Sequence, residues 1–131
     1  MEERPTAPAE VVAASIAALN RGDVEDALAY CADAIVLWAP GRELAGQEVR
    51  GKETLRLVLE HSEARWPDLW TAVRSVVSAG ERVAVELTIV ATEGGVRLSQ
   101  PAAAFYVVRD GLIVEQANYY DLGALSRMLI R

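Results

Sequence analysis

Cysteine, histidine and lysine are nearly missing from this chain. Each occurs once, as Cys31, His61 and Lys52. One cysteine excludes an internal disulfide and a cysteine-based zinc cluster. One histidine leaves a histidine metal site without partners. No EF-hand-type spacing of carboxylates is present. The expectation is therefore no metal and no cofactor. Cys31 stands among apolar neighbours in AYCADA and reads as a small buried side chain. Positive charge is also in deficit: 13 Lys and Arg against 19 Asp and Glu give a net charge of −6. That balance lacks the basic footprint of a nucleic-acid binder. No apolar run approaches the roughly 20 residues that span a bilayer, so no membrane partner is expected. The N-terminal MEERPTAPAE has no apolar signal core, and the expected location is the cytoplasm.

What the chain does have is apolar content, 52% over 131 residues, enough for one domain with a sizeable core. Residues 1–9 read as a flexible arm and residues 10–131 as the domain. PAEVVAASIAALNRG carries Pro8 for a first turn, apolar residues at helical spacing and Gly22 as a stop. Asp23 is placed to cap a short second helix. AIVLWAP reads as a strand, GRELAGQEVRG as a polar connection, and a third helix starts near Lys52. Along it Leu55, Leu59, Ser62 and Trp66 share a face, and Pro67 ends it.

After Trp70 the texture becomes strands. In RVAVELTIVAT, Val83, Val85, Leu87, Ile89 and Ala91 face one way, with Glu86, Thr88 and Thr92 opposite. Glu93-Gly94-Gly95 and Asp110-Gly111 read as hairpin turns. Pro101 lies inside a long strand and predicts a bulge or bend there. Leu112 to Tyr120 forms a last strand, then Asp121 caps a final amphipathic helix. The fold class predicted is α+β: a curved antiparallel meander wrapped as a cone around three N-terminal helices, with a short C-terminal helix. The open end of such a cone holds a small apolar molecule.

The stretch from Gly22 to Leu55, with Pro40-Gly41-Arg42, Leu44-Ala45-Gly46 and Arg50-Gly51, resembles the SnoaL-like branch of the nuclear transport factor 2-like superfamily. Asp110-Gly111 followed by IVEQANYYDL resembles that family's closing strand. The resemblance covers about residues 10 to 127. It implies a pocket fold whose members include polyketide cyclases, limonene-epoxide-hydrolase-like enzymes, steroid isomerases and non-catalytic binding proteins. It also implies a homodimer through the outer sheet face, where Thr88, Val90 and Thr92 lie. Fold alone does not fix the function.

Carried over residue by residue, the Asp-Arg-Asp set of the epoxide hydrolases falls on Leu87, Ile89 and Asn118. An amide does not serve as a general base near neutral pH, so that mechanism is not expected. The isomerase base falls near Ala39 and its oxyanion tyrosine near Ser15, and both roles look vacant. Strand alternation puts Val114, Gln116, Asn118 and Tyr120 on one inward face. The catalytic candidates are accordingly Asn118, Gln116 and Tyr120, polarising a carbonyl. The ligand-binding candidates are Gln100, Tyr106, Trp66, Leu87, Ile89, Trp38 and His61.

Each has a plainer reading. Tyr106 and Tyr120 serve equally as core residues with a hydroxyl at the rim. Gln116 and Asn118 serve equally as a structural amide network. His61 reads as an exposed helix residue or a rim acid/base. Trp38 guards the mouth or simply packs. Two functions stay open. One is a cyclase, isomerase or lyase acting on an apolar polyketide- or terpenoid-like compound. The other is a non-catalytic ligand-binding or dimeric scaffold protein that lacks the family's catalytic acids.

Overall fold

The computed structural model describes residues 4–40 and 47–121. Their order is α1 (Pro8–Asn20), α2 (Val24–Ala29), β1 (Cys31–Ala39), β2 (Gln47–Arg50), α3 (Lys52–Arg65), β3 (Trp70–Ala79), β4 (Arg82–Glu93), β5 (Val96–Arg109) and β6 (Leu112–Tyr120). The fold is α+β, as predicted. The strands form one sheet in the order β2-β1-β6-β5-β4-β3.

Local chemistry sets the boundaries. Pro8 sits in the first turn of α1, where its missing N–H costs nothing. Asp23 accepts a 3.0 Å hydrogen bond from the Asp26 backbone N–H and starts α2. At the β5–β6 turn Asp110 and Gly111 both have positive φ, 53° and 77°, as a tight two-residue hairpin requires. The helices lie on one face of the sheet. α1 buries Val11, Val12, Ser15, Ile16 and Ala18. Sheet residues at period two, Val83, Val85 and Leu87 on β4 with Ala104, Tyr106 and Val108 on β5, meet them in one core with Leu28, Ile35 and Ile113.

Four features depart from the sequence reading. Gln47–Arg50 is a strand, antiparallel to the end of β1, where a plain connection was expected. Only Val49 of its four residues is even half-buried, so no alternating pattern advertised it. The sheet is mixed, since β1 runs parallel to β6. The long excursion through α3 and three hairpins returns the chain beside β1 in the same direction. No bulge falls at Pro101, where a bulge or bend was expected: it pairs in register with Thr88. It stands one residue past the last β5–β6 pair, Ala102 with Tyr120. The register breaks fall instead at Cys31/Val36, Val73/Ser75 and Val107/Val108, and such breaks bend a sheet. Finally, the predicted last helix and the Gly41-Arg42 and Leu44-Ala45-Gly46 signatures lie outside the described residues.

Candidate functional site

Between α1, α3 and the concave face of the sheet is a cavity of about 330 Å³. Its walls follow from the periodicities. α1 contributes Ser15, Ile16 and Leu19, and α3 contributes Leu55, Leu59 and Ser62, each set at helical spacing. β1 contributes Cys31, Leu37 and Ala39, β2 Gln47 and Val49, β4 Leu87 and Ile89, and β5 Ala102, Ala104 and Tyr106. β6 closes it with Gln116, Asn118 and Tyr120, alternate residues of one strand.

The three catalytic candidates are therefore neighbours on one wall. The Gln116 amide Nε2 donates a 3.0 Å hydrogen bond to Asn118 Oδ1. That bond orients both side chains and leaves the Asn118 NH₂ as a donor pair beside the cavity. Tyr120 is half-buried, and burial raises its phenol above the ordinary tyrosine value. Tyr106 is only 6% exposed; burial again, with the nearby Cys31 adding to it, holds its phenol firmly protonated. Cys31 is buried, and loss of solvent pushes its thiol up to about 11. The lining holds no Asp, Glu, His, Lys or Arg among the described residues. All three of its titratable groups are neutral at pH 7. No ionised general base among the described residues faces the cavity.

Other expected residues lie elsewhere. Trp38 points to the opposite face of the sheet, where its ring packs 5.2 Å from that of Tyr119. Trp66, just past α3, donates its indole N–H to Glu93 at 2.7 Å. Gln100 turns its amide onto the Pro101 carbonyl oxygen at 3.1 Å. His61 is exposed on α3. None of these four lines the cavity, whereas Leu87, Ile89 and Tyr106 do. The residues that sequence reasoning passed over are Leu37, Ala39, Gln47, Val49 and Thr71. Alternation along β1 would have found Leu37 and Ala39; the β2 pair needed a strand that the pattern did not reveal. Thr71 is fixed by Asn20 at the end of α1. The Asn20 Nδ2 donates to the Thr71 carbonyl at 2.9 Å, and the Thr71 N–H donates to Asn20 Oδ1 at 2.8 Å.

No group of three or more His, Cys, Asp or Glu side chains among the described residues is placed to hold a metal ion. No helix among them is long and apolar enough to cross a membrane.

Comparison with known proteins places this geometry. No curated protein matches the chain. Among solved structures, IdmH of Streptomyces antibioticus, described as "a putative polyketide cyclase", is 25% identical with a TM-score of 0.80, over 95% of this chain and 99% of that one. TerC, co-crystallised with polyporic acid, is 21% identical with a TM-score of 0.84, over 95% of this chain and 98% of its own. AclR of Streptomyces galilaeus, 24% identical, has a TM-score of 0.76, over 93% of this chain and 94% of its own. The model of the SnoaL-like domain matches residues 12–116, most of the sequence. The chain belongs to the SnoaL-like domain family.

Proposed function

We propose that this protein takes a neutral, mostly apolar small molecule into the cavity and acts on it as a cyclase, isomerase or lyase. The observation that carries the reading is a lining with no charged side chain among the described residues and a paired amide, Gln116–Asn118, on its β6 wall. Apolar walls supply affinity, about 25 cal/mol per Å² removed from water. The amide N–H groups of Asn118 and the Tyr120 hydroxyl polarise an oxygen of the ligand. Leu87, Ile89 and Tyr106 hold its body. The similarity to IdmH supports a ring-forming reaction of a polyketide-like compound.

The test is direct. Purified protein is incubated with neutral polyketide- and terpenoid-like ketones, and the mixtures are resolved by chromatography with mass detection. Protein-dependent conversion is expected, and a Gln116→Ala, Asn118→Ala double variant should lower the rate by at least about 100-fold if it removes oxyanion-type donors. Turnover unchanged in that variant refutes the site. Tight binding with no conversion favours the non-catalytic reading instead.

A second reading concerns assembly. The outer face of the sheet exposes Phe105 and Tyr119, 50% and 49% accessible, in edge-on contact at 5.6 Å and next to Trp38. A clustered aromatic patch of this kind suits an interface, and we assign it to a homodimer. Sedimentation should give a dimer that Phe105→Glu dissociates; a monomeric wild type at high concentration would refute it.

A further inference from the structure

A second hollow, of about 410 Å³, lies between α1 and β3, an edge strand of the described sheet. Ala9, Ala13 and Ala17, four residues apart on α1, form one bank, and Trp70, Val73 and Val76 form the other. Those three β3 side chains are 52%, 45% and 46% exposed, and apolar surface gathered along a groove marks a binding surface. A dimer through the outer face of the sheet leaves the valines uncovered. Val73 and Val76 pair with Leu87 and Val85, which are core residues, so both valines project on the helix side. No charged side chain lines the groove among the described residues. Its polar members, Asn20 and Thr71, hydrogen-bond each other. The edge does not suit an added strand either. Asn20 already engages the Thr71 N–H and C=O, and the register breaks between Val73 and Ser75. The groove therefore fits an occupant that needs no hydrogen bonds. It is also continuous with the inner cavity: Ile16 and Thr71 line both spaces.

We propose that this groove is a second subsite, which holds a straight apolar tail of the same molecule whose polar end sits on the Gln116–Asn118 amides. This rests on the pocket reading above and adds a length and a direction to the ligand. The tail leaves the inner cavity between Ile16 and Thr71 and lies along α1 against Val73 and Val76. On the β3 side the passage is bounded by backbone that Asn20 holds to α1. On the α1 side Ile16, 7% exposed, is the side chain that yields. Branching fixes its χ1 on a helix, so the movement is about χ2. A charged tail is disfavoured, because the groove offers it no counter-charge among the described residues and desolvating a lone charge is costly. The ligand class is a neutral head carrying an extended hydrocarbon chain.

The probes are 2-naphthyl alkyl ketones with chains from methyl to heptyl, measured by calorimetry. In the wild type affinity should rise about two- to fourfold for each CH₂ laid in the groove, the upper figure being that of full burial. Ala13→Phe fills the groove and Val76→Asp charges it. Both positions are exposed and neither lines the inner cavity. Each variant should flatten the chain-length series and leave the methyl ketone unchanged. A chain ending in bromine locates the tail directly: it should quench the wild-type tryptophan fluorescence and lose most of that effect in Trp70→Phe. A slope that survives both variants sends the tail elsewhere and refutes the groove. If the methyl ketone binds the wild type and longer chains gain nothing, the groove is refuted and the pocket stands. If no homologue binds, the pocket reading fails and the groove with it. A variant that weakens every homologue alike also overturns the proposal, since head and tail would then not occupy separate sites.

Discussion

Asn118→Asp would place a carboxylate in a cavity whose lining carries no ionised group among the described residues. The substitution is nearly isosteric, so packing is preserved and the electrostatic effect is isolated. Two forces act on the new carboxyl. The Gln116 Nε2 donor, now 3.0 Å from Asn118 Oδ1, favours its charged form. Half-burial without a cation disfavours it. Fully buried carboxyls rise by up to about 3–5 units. A half-buried one with a single neutral donor should rise by about 1–2. At 1.36 kcal/mol per unit, that is a loss of about 1.4–2.7 kcal/mol at neutral pH.

The sign follows from linkage. A folded-state value above the unfolded value of about 3.9 means that the folded protein holds the proton more tightly. The variant is then near wild type below about pH 4. The gap opens as pH rises through the folded value, and is constant above about pH 6. For a domain of this size the full gap is about 4–12 °C in melting temperature. Differential scanning calorimetry of both proteins from about pH 3.5 to about pH 8 measures it, and other carboxylates cancel in the difference. A gap independent of pH, or one that widens as pH falls, would refute the claim that the cavity penalises charge.

Asn20→Ala removes both bonds to the Thr71 backbone and should cost about 1–3 kcal/mol in urea unfolding. Asn20→Leu, which restores bulk without the amide, should cost as much; full recovery in the leucine variant would refute the hydrogen-bond account. Ile35, 1% exposed, should lose about 2–5 kcal/mol on truncation to alanine, seen as a lower urea midpoint at unchanged slope. Trp66→Phe gives up the indole bond to Glu93, which is only partly shielded from water, and should cost about 1 kcal/mol; Glu93→Gln should fall short of that loss, since it keeps an acceptor. With its thiol at about 11 and buried, Cys31 is ionised to about one part in ten thousand at neutral pH. Alkylation by iodoacetamide should therefore be slow at neutral pH and quicken as pH rises, and rapid stoichiometric labelling of native protein at neutral pH would contradict the raised thiol.

The parts of the fold legible in the sequence are those where one physical period dominates. α1 and the third helix announce themselves by apolar spacing, and β4 by strict alternation. The Asp110-Gly111 turn is dictated by backbone sterics, since both residues adopt positive φ. What escaped is set by tertiary neighbours. β2 has a strand's hydrogen bonds without a strand's pattern, because one face and one edge meet solvent. The parallel β1–β6 pairing depends on where three hairpins bring the chain back. Pro101 was misread because its cost depends on whether a neighbouring strand reaches it. Among the site residues, Gln116, Asn118, Tyr106, Leu87 and Ile89 follow from alternation and do line the cavity. Trp38 obeys the same rule and was assigned against it: with Leu37 and Ala39 lining the cavity, the residue between them faces away. His61 is off the Leu55–Leu59–Ser62 stripe of α3, and Trp66 falls past its last turn, free to reach Glu93.

A cavity whose described lining is neutral also limits the chemistry that those residues can perform. Amide and phenol donors stabilise a developing oxyanion more strongly in low dielectric than in water, by roughly 100- to 1000-fold in rate for each good donor. They do not remove a proton from carbon. Cys31 and the two tyrosines are all held in the protonated form by burial. Under the proposed reading, a substrate whose C–H proton must leave gives it to solvent water, since none of these groups accepts it. The pH profile tests it: the rate in the cavity should show no enzyme titration between about pH 6 and about pH 9. A limb inside that range would bring an ionising group into the reaction and refute catalysis by neutral donors alone.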